Sequence, residues 1–253
     1  MPGGTRFFQL REVLLLLVPA LLLIGGAVWA TLQFVQPAPP KSLTIVTSTK
    51  GTPYHMFAEA YARVLARNGI TLVVKETQGS VENLAALQNT AADVQAGFLQ
   101  GGIAFGQEPA HLLSIGRLFH EPLWIFYRGS ETLDRLSQLK GKRVLVGPKG
   151  GGTYNLATRL LAANHVTPEN ATLIDNVALP DYIAAFEKGE ADAGFLVLAP
   201  EAKTVSRLLA LPSVRLMSLT QAEGLTRMFP FLVRVTLPQG VVDFDNNNPP
   251  EDM

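Results

Sequence analysis

Two stretches of the chain combine residue types that hold a small polar ligand. In the first, Thr77, Gly79, Ser80, Glu82 and Asn83 follow an apolar, β-branched run at 70–74 that reads as a buried strand. Gly79 lets the backbone turn sharply. Ser80 is a favoured N-cap, and Val81, Leu84, Ala85 and Leu87 mark the apolar face of the helix it opens. The first amides of such a helix have no partner inside it, and its dipole is positive there. Strand, glycine turn and capped helix therefore make a cradle for a carboxylate or another small anion. The second stretch, 147–153, runs Gly-Pro-Lys-Gly-Gly-Gly-Thr between a strand at 142–146 and a helix marked by Leu156, Ala157, Leu160 and Leu161. It is not a phosphate loop, because Gly152 is followed by Thr153 and Tyr154 and Lys149 comes too early. Free amides, the Thr153 hydroxyl and a helix start suit a carboxylate better than a triphosphate.

Other chemistries find little support. The sequence has no cysteine, which removes disulfides, thiol catalysis and thiolate metal sites. His55, His111, His120 and His165 show no metal-ligand spacing, and only His55 follows a candidate loop. No G-x-S-x-G occurs, and Ser80 has no neighbouring base in sequence. Glu187, Glu190 and Asp192 read as solvated surface and a strand-start cap rather than an acid–base pair. Arg128 ends an apolar strand at 122–127; it is placed either in a ligand cleft or in a structural ion pair. In that strand Trp124 and Phe126 alternate with Ile125 and Tyr127, which puts one face in the core. Formal net charge is zero and there is no basic run, so no nucleic-acid partner is expected. No metal and no cofactor are called for.

The elements that position these residues repeat in two halves. In the first, strands at 42–48 and 70–74 flank a helix that opens at Pro53 and carries Phe57, Ala60, Tyr61, Val64 and Leu65. The Gly79 helix follows, then strands at 93–99, 112–119 and 122–127. In the second, a short helix at 133–139 precedes strands at 142–146, 172–174 and 192–198, with helices after Gly152 and around Tyr182, Ile183 and Phe186. Helices near 201–209 and 221–228 and strands near 214–217 and 232–237 complete it. Alternating strands and helices predict an α/β architecture with largely parallel sheets. Two such halves predict two lobes facing across a cleft.

Ahead of them, Arg6 and Arg11 precede an uncharged apolar run at 13–30. As a helix it spans roughly 27 Å, close to a bilayer's hydrocarbon thickness. The positive flank keeps the amino end cytoplasmic and sends the rest across. The run is either an uncleaved anchor or the core of a secretory signal ending at Val28-Trp29-Ala30. Residues 1–35 are thus an anchor or signal segment, and 36–41 a proline-rich linker.

Thr77-x-Gly79-Ser80-x-Glu82-Asn83, Gly51-Thr52-x-Tyr54, Gly147 to Gly152-Thr153, and Asp192-Ala193-Gly194-Phe195 together resemble the TAXI family of solute-binding subunits of tripartite ATP-independent periplasmic (TRAP) transporters. The resemblance covers about residue 42 to the end. It implies a two-lobed, type II periplasmic-binding-protein fold behind one amino-terminal transmembrane helix. Lobe one would be 42–121 plus 232–253, and lobe two 122–231. It implies a monomer in the periplasm that captures a small anionic solute, glutamate-like or a dicarboxylate, for a TRAP permease in the inner membrane, with no reaction catalysed. By motif match, Ser48, Gly51, Tyr54, Gly79, Ser80, Asn83, Gln100, Gly152 and Thr153 would line the cleft, with Arg128 reaching it from the lobe junction. The sequence departs from the family at Pro53, which lacks an amide donor, and at Gly151, where serine is usual. Family members also continue beyond the point where this sequence stops, so lobe one is expected to be unfinished. A membrane-tethered sensory or interaction protein with the same fold, and no transport, is the alternative.

Overall fold

The computed structural model describes residues 10–34, 40–107 and 111–253. Arg6 and most of the expected linker lie outside them. The chain divides into two units, 1–41 and 42–253. The first contains one long helix, α1 (Leu10–Phe34), with Pro19 inside it. Its Val13–Gln33 portion is long and apolar enough to cross a membrane.

In the second unit, β1 (Ser42–Val46) leads through a loop into α2 (Pro53–Ala66), then β2 (Thr71–Lys75), α3 (Ser80–Gln88) and the two-residue β3 (Ala96–Gly97). These strands form a parallel sheet in the order β2-β1-β3, with Val46 opposite Lys75 and Gly97. The expected strand at 93–99 is paired only around its centre, although Gln95 and Phe98 also bond to β1 carbonyls. Ile45, Ala58 and Phe98 form the buried core of this sheet.

The larger sheet is built from β4 (Leu123–Arg128), β5 (Arg143–Leu145), β6 (Thr172–Ile174), β7 (Ala193–Val197) and β8 (Val214–Leu216), in the order β6-β5-β7-β4-β8. Around it lie α4 (Gly152–Ala163), α5 (Tyr182–Glu187), α6 (Lys203–Leu209) and α7 (Ala222–Met228). β5 is parallel to β6 and β7, whereas β4 runs antiparallel to β7 and β8. Only one face of β4 was expected to be core; both faces are. Ile125 and Tyr127 pack with the α4 residues Leu156, Ala157, Leu160 and Leu161. Trp124 and Phe126 pack with Tyr182 and Phe186 of α5 and Val205 and Leu208 of α6.

Three expectations are corrected. Residues 112–119 and 232–237 form no strand. Neither apolar stretch finds a partner strand among the described residues, and Leu113 and Ile115 are 94% and 98% exposed. The short helix expected at 133–139 is a single 3₁₀ turn, Leu136–Leu139. In the carboxyl-terminal stretch, Leu232 and Leu237 pack on the two cores of the larger sheet, and Asn248 Nδ2 donates to the Leu209 carbonyl at 3.4 Å.

Candidate functional site

Strands β1, β2 and β5 each run directly into a loop and a helix start, so α2, α3 and α4 present unpartnered first-turn amides at the carboxyl edges of their sheets. At the first sheet the loops are fastened by a buried polar cluster. Asn83 Nδ2 donates to the carbonyls of Thr47 at 2.5 Å and Phe98 at 2.8 Å. The Thr77 hydroxyl lies 2.6 Å from Asn83 Oδ1 and 2.9 Å from the Thr47 carbonyl. The Gly79 amide donates to Thr77 Oγ1 at 3.0 Å. The Thr77–Asn83 block thus ties together the ends of β1, β2 and β3. The Asn83 amide is consumed by that task and offers nothing to a ligand.

Ser80 was expected to cap α3. Instead Gly79, with φ of 125°, occupies the cap position and Ser80 is the first helical residue. A glycine tolerates that backbone, which a side chain strongly disfavours. The Ser80 hydroxyl is turned to the next loop, where it accepts the Gln100 amide at 2.8 Å. Tyr54, in the first turn of α2, donates to Glu121 Oε2 at 2.9 Å and stacks on Phe98 with ring centroids 5.5 Å apart. Burial, reinforced by the Glu121 charge, pushes the Tyr54 phenol far above its ordinary range. Burial also raises the Glu121 carboxyl, and the bond from Tyr54 offsets part of that rise. Ser48 is half-buried where β1 ends, and Gly51 is exposed at the tip of the same loop.

The second cradle meets the first at Gln100. A Cβ on Gly152 would fall on Gln100 Oε1, and Gln100 Nε2 lies 3.5 Å from the Gly152 carbonyl. Thr153 Oγ1 accepts the Val197 amide at 3.3 Å, joining the start of α4 to the end of β7. The starts of α3 and α4 thus converge on one glutamine. The crevice there is narrow, with no room for a water molecule; Gly102, Arg159 and Phe231 help to line it. Phe231 lies directly over Gly102. Arg159 Nη1 donates to the carbonyls of Gly102 at 3.2 Å and Phe105 at 3.4 Å.

Nine of the ten expected residues therefore lie on or beside the facing edges, six of them (Tyr54, Gly79, Ser80, Gln100, Gly152 and Thr153) in or next to the junction. Arg128 does not join them. Because β4 is antiparallel to β7, with Tyr127 opposite Ala193, its carboxyl end lies at the opposite edge of the sheet. There Arg128 lines a separate, roomier open pocket with Lys142 and Glu131. Glu121, Phe231 and Arg159 were missed. The sequence carried a signal only for Arg159, since positions 152, 155, 156 and 159 share one helical face. Among the described residues, no group of three His, Asp or Glu side chains could hold a metal ion.

The fold is the α/β fold of periplasmic binding proteins. The alkanesulfonate-binding protein SsuA from Xanthomonas axonopodis pv. citri, bound to MOPS, is similar with a TM-score of 0.50 and 22% identity; 77% of this chain and 70% of that one are covered. The periplasmic aliphatic sulphonate binding protein SsuA from Escherichia coli has a TM-score of 0.48 and 22% identity; 71% of this chain is covered, and this chain spans 57% of that protein. The amino acid ABC transporter substrate-binding protein AbpA from Streptococcus pneumoniae, bound to L-arginine, has a TM-score of 0.45 and 17% identity over 71% of this chain and 76% of that one. Residues 45–249 match the NMT1-like family, and the chain belongs to it. No curated protein sequence matches.

Proposed function

We propose that the chain is an extracytoplasmic solute receptor that takes a small carboxylate or amino acid between residues 42–121 and 122–231, acting as two lobes, and passes it to a TRAP-type permease. α1 tethers it to the inner membrane or serves as its export signal. The observation that carries this reading is the convergence of the α3 and α4 amino termini on Gln100, since two sets of free amides across one crevice suit an anion. The similarity to a sulfonate-binding protein supports a small anionic guest. The TRAP assignment rests on the motif resemblance alone. Calorimetry on the full chain in detergent, with a panel of mono- and dicarboxylates and amino acids, is expected to give saturable binding. Silence across the panel overturns the reading.

One observation favours the second reading, a membrane-tethered sensory or interaction protein without transport. The crevice, lined by Gln100, Arg159 and Phe231, has no room even for a water molecule. Affinity capture from membranes that retrieves a permease decides for transport; recovery of a sensor kinase without a permease decides for the alternative.

A further inference from the structure

We propose that the loop after β4 holds a tetrahedral oxyanion, a phosphate group, against Arg128 and Lys142. The site lies at the edge of the larger sheet opposite the Gln100 crevice and does not rest on the receptor reading. Gly129, Ser130, Glu131 and Leu133 line the same open pocket as the two cations. The amides of Gly129, Ser130 and Glu131 donate to nothing among the described residues. Successive free amides in a turn form a concavity that favours an anion. The loop that presents them is held in place. The Tyr127 hydroxyl accepts the Leu133 amide at 3.2 Å. Arg215 donates from Nη1 to the Ser130 carbonyl at 3.0 Å and from Nη2 to Thr132 Oγ1 at 3.2 Å. Its guanidinium lies over the Tyr127 ring, 5.6 Å from the centroid.

The two cations are not spent on neighbouring acids. The Arg128 amide donates to the Asp192 carbonyl at 2.9 Å, which makes Asp192 its cross-strand neighbour. Both Asp192 oxygens are taken by Arg143, Oδ1 by Nη2 and Oδ2 by the main-chain amide and Nε. Arg128 and Lys142 make no ion pair among the described residues. Alternation along β4 puts Arg128 on the face of Trp124 and Phe126, toward α5. A Cβ on Gly189, just past α5, would lie 2.7 Å from Arg128 Nη1, so the guanidinium rests on that backbone. Phe105 packs instead on Arg159 of α4, the helix that covers the other face. Donors thus approach the pocket from the loop after β4 and from the start of β5. A carboxylate has two oxygens in one plane, which a single guanidinium fork satisfies. A phosphate has oxygens left over for Lys142 and the amides. That group comes either from free phosphate or from a phospholipid headgroup. Glu131, exposed among the lining residues, opposes it.

The test is calorimetry on the full chain in a maltoside detergent, with inorganic phosphate, acetate and a short-chain phosphatidic acid. Phosphate in one form is expected to bind roughly tenfold more tightly than acetate, and the form that binds better identifies the source. Arg128→Gln and Lys142→Gln should each weaken it roughly tenfold, and Arg128→Lys should lose less than Arg128→Gln. Glu131→Gln should tighten it. Circular dichroism melts check that the variants fold. Affinity unchanged in both glutamine variants of the cations overturns the site. So does acetate that binds as well as phosphate, or a wild type that binds neither form. Should a cation variant fail to fold, Glu131→Gln at its exposed position decides, and unchanged affinity there overturns the site. The receptor reading stands or falls separately.

Discussion

The two sheets start from the same local pattern, a strand feeding a loop and a helix start, yet they bury very different amounts of apolar surface. The five-stranded sheet has a core on each face, and its central strand β7 is buried along its whole length. The three-stranded sheet ends at a two-residue strand, and its buried core is Ile45, Ala58 and Phe98. What holds the smaller sheet's loops in place is largely polar, the Thr47–Thr77–Asn83 cluster. Apolar packing is roughly proportional to area and indifferent to direction, whereas a buried hydrogen-bond cluster fixes geometry and is costly to break. One sheet is thus stabilised by its area, and the other by a few residues at its carboxyl edge.

The sharpest way to break this contrast is to truncate a large side chain in each core. Phe195→Ala in β7 is expected to cost about 3–5 kcal/mol in chemical denaturation. Phe98→Ala should cost clearly less, because its site is closer to solvent and can collapse. Equal losses would show that the sheets are packed alike. Next comes Asn83→Ala, which leaves the buried Phe98 carbonyl without a donor and the Thr47 carbonyl with the Thr77 hydroxyl alone, and is expected to cost about 1–3 kcal/mol. Hydrogen exchange should localise that loosening to the loops after β1, β2 and β3, with the larger sheet unaffected.

A smaller effect concerns pH, where one carboxylate from each region has the opposite sign. Asp192 accepts the Arg143 amide at 2.8 Å, and its Oδ1 pairs with the guanidinium at 2.6 Å. The Arg143 side-chain bond holds its carboxyl below the ordinary range. Its stabilising contribution is therefore full above the unfolded value, at about pH 4, and disappears as pH falls through the lower folded value. Asp192→Asn should melt only slightly lower near neutrality, because solvent screens an exposed pair, and the gap should close in acid. Glu121 is raised by burial, so the contribution of its protonated form is full below the unfolded value and is lost as pH rises through the folded one. Glu121→Gln, which can still accept from Tyr54, should melt slightly higher than wild type at neutral pH and equally below about pH 4. A wild-type advantage at neutral pH would contradict the burial argument.

Much of this was legible in the sequence, because strand–glycine–helix signals are local. The starts of α2 at Pro53 and α4 at Gly152, and the limits of β6, follow from residues within a few positions of each element. The failures all required distant information. Whether 112–119 or 232–237 becomes a strand depends on a partner elsewhere in the chain. The location of Arg128 depends on β4 being antiparallel, which composition does not encode. Ser80 looked like a cap because cap statistics are local, while its actual partner, Gln100, is twenty residues away. Asn83 was found for its ligand chemistry, but its amide proves to be a fastening, and Gly152 is in addition the point where Gln100 rests.

The resting of Gln100 on Gly152 has a kinetic consequence. On the receptor reading proposed above, a solute must wait until the glutamine swings away. Apparent affinity is then the intrinsic affinity scaled down by the fraction of time the entrance stands open. At high concentration the observed on-rate should level off at the rate of that swing instead of rising in proportion. Replacing Gly152 with alanine, whose methyl would displace the far end of a flexible side chain, should lift that plateau.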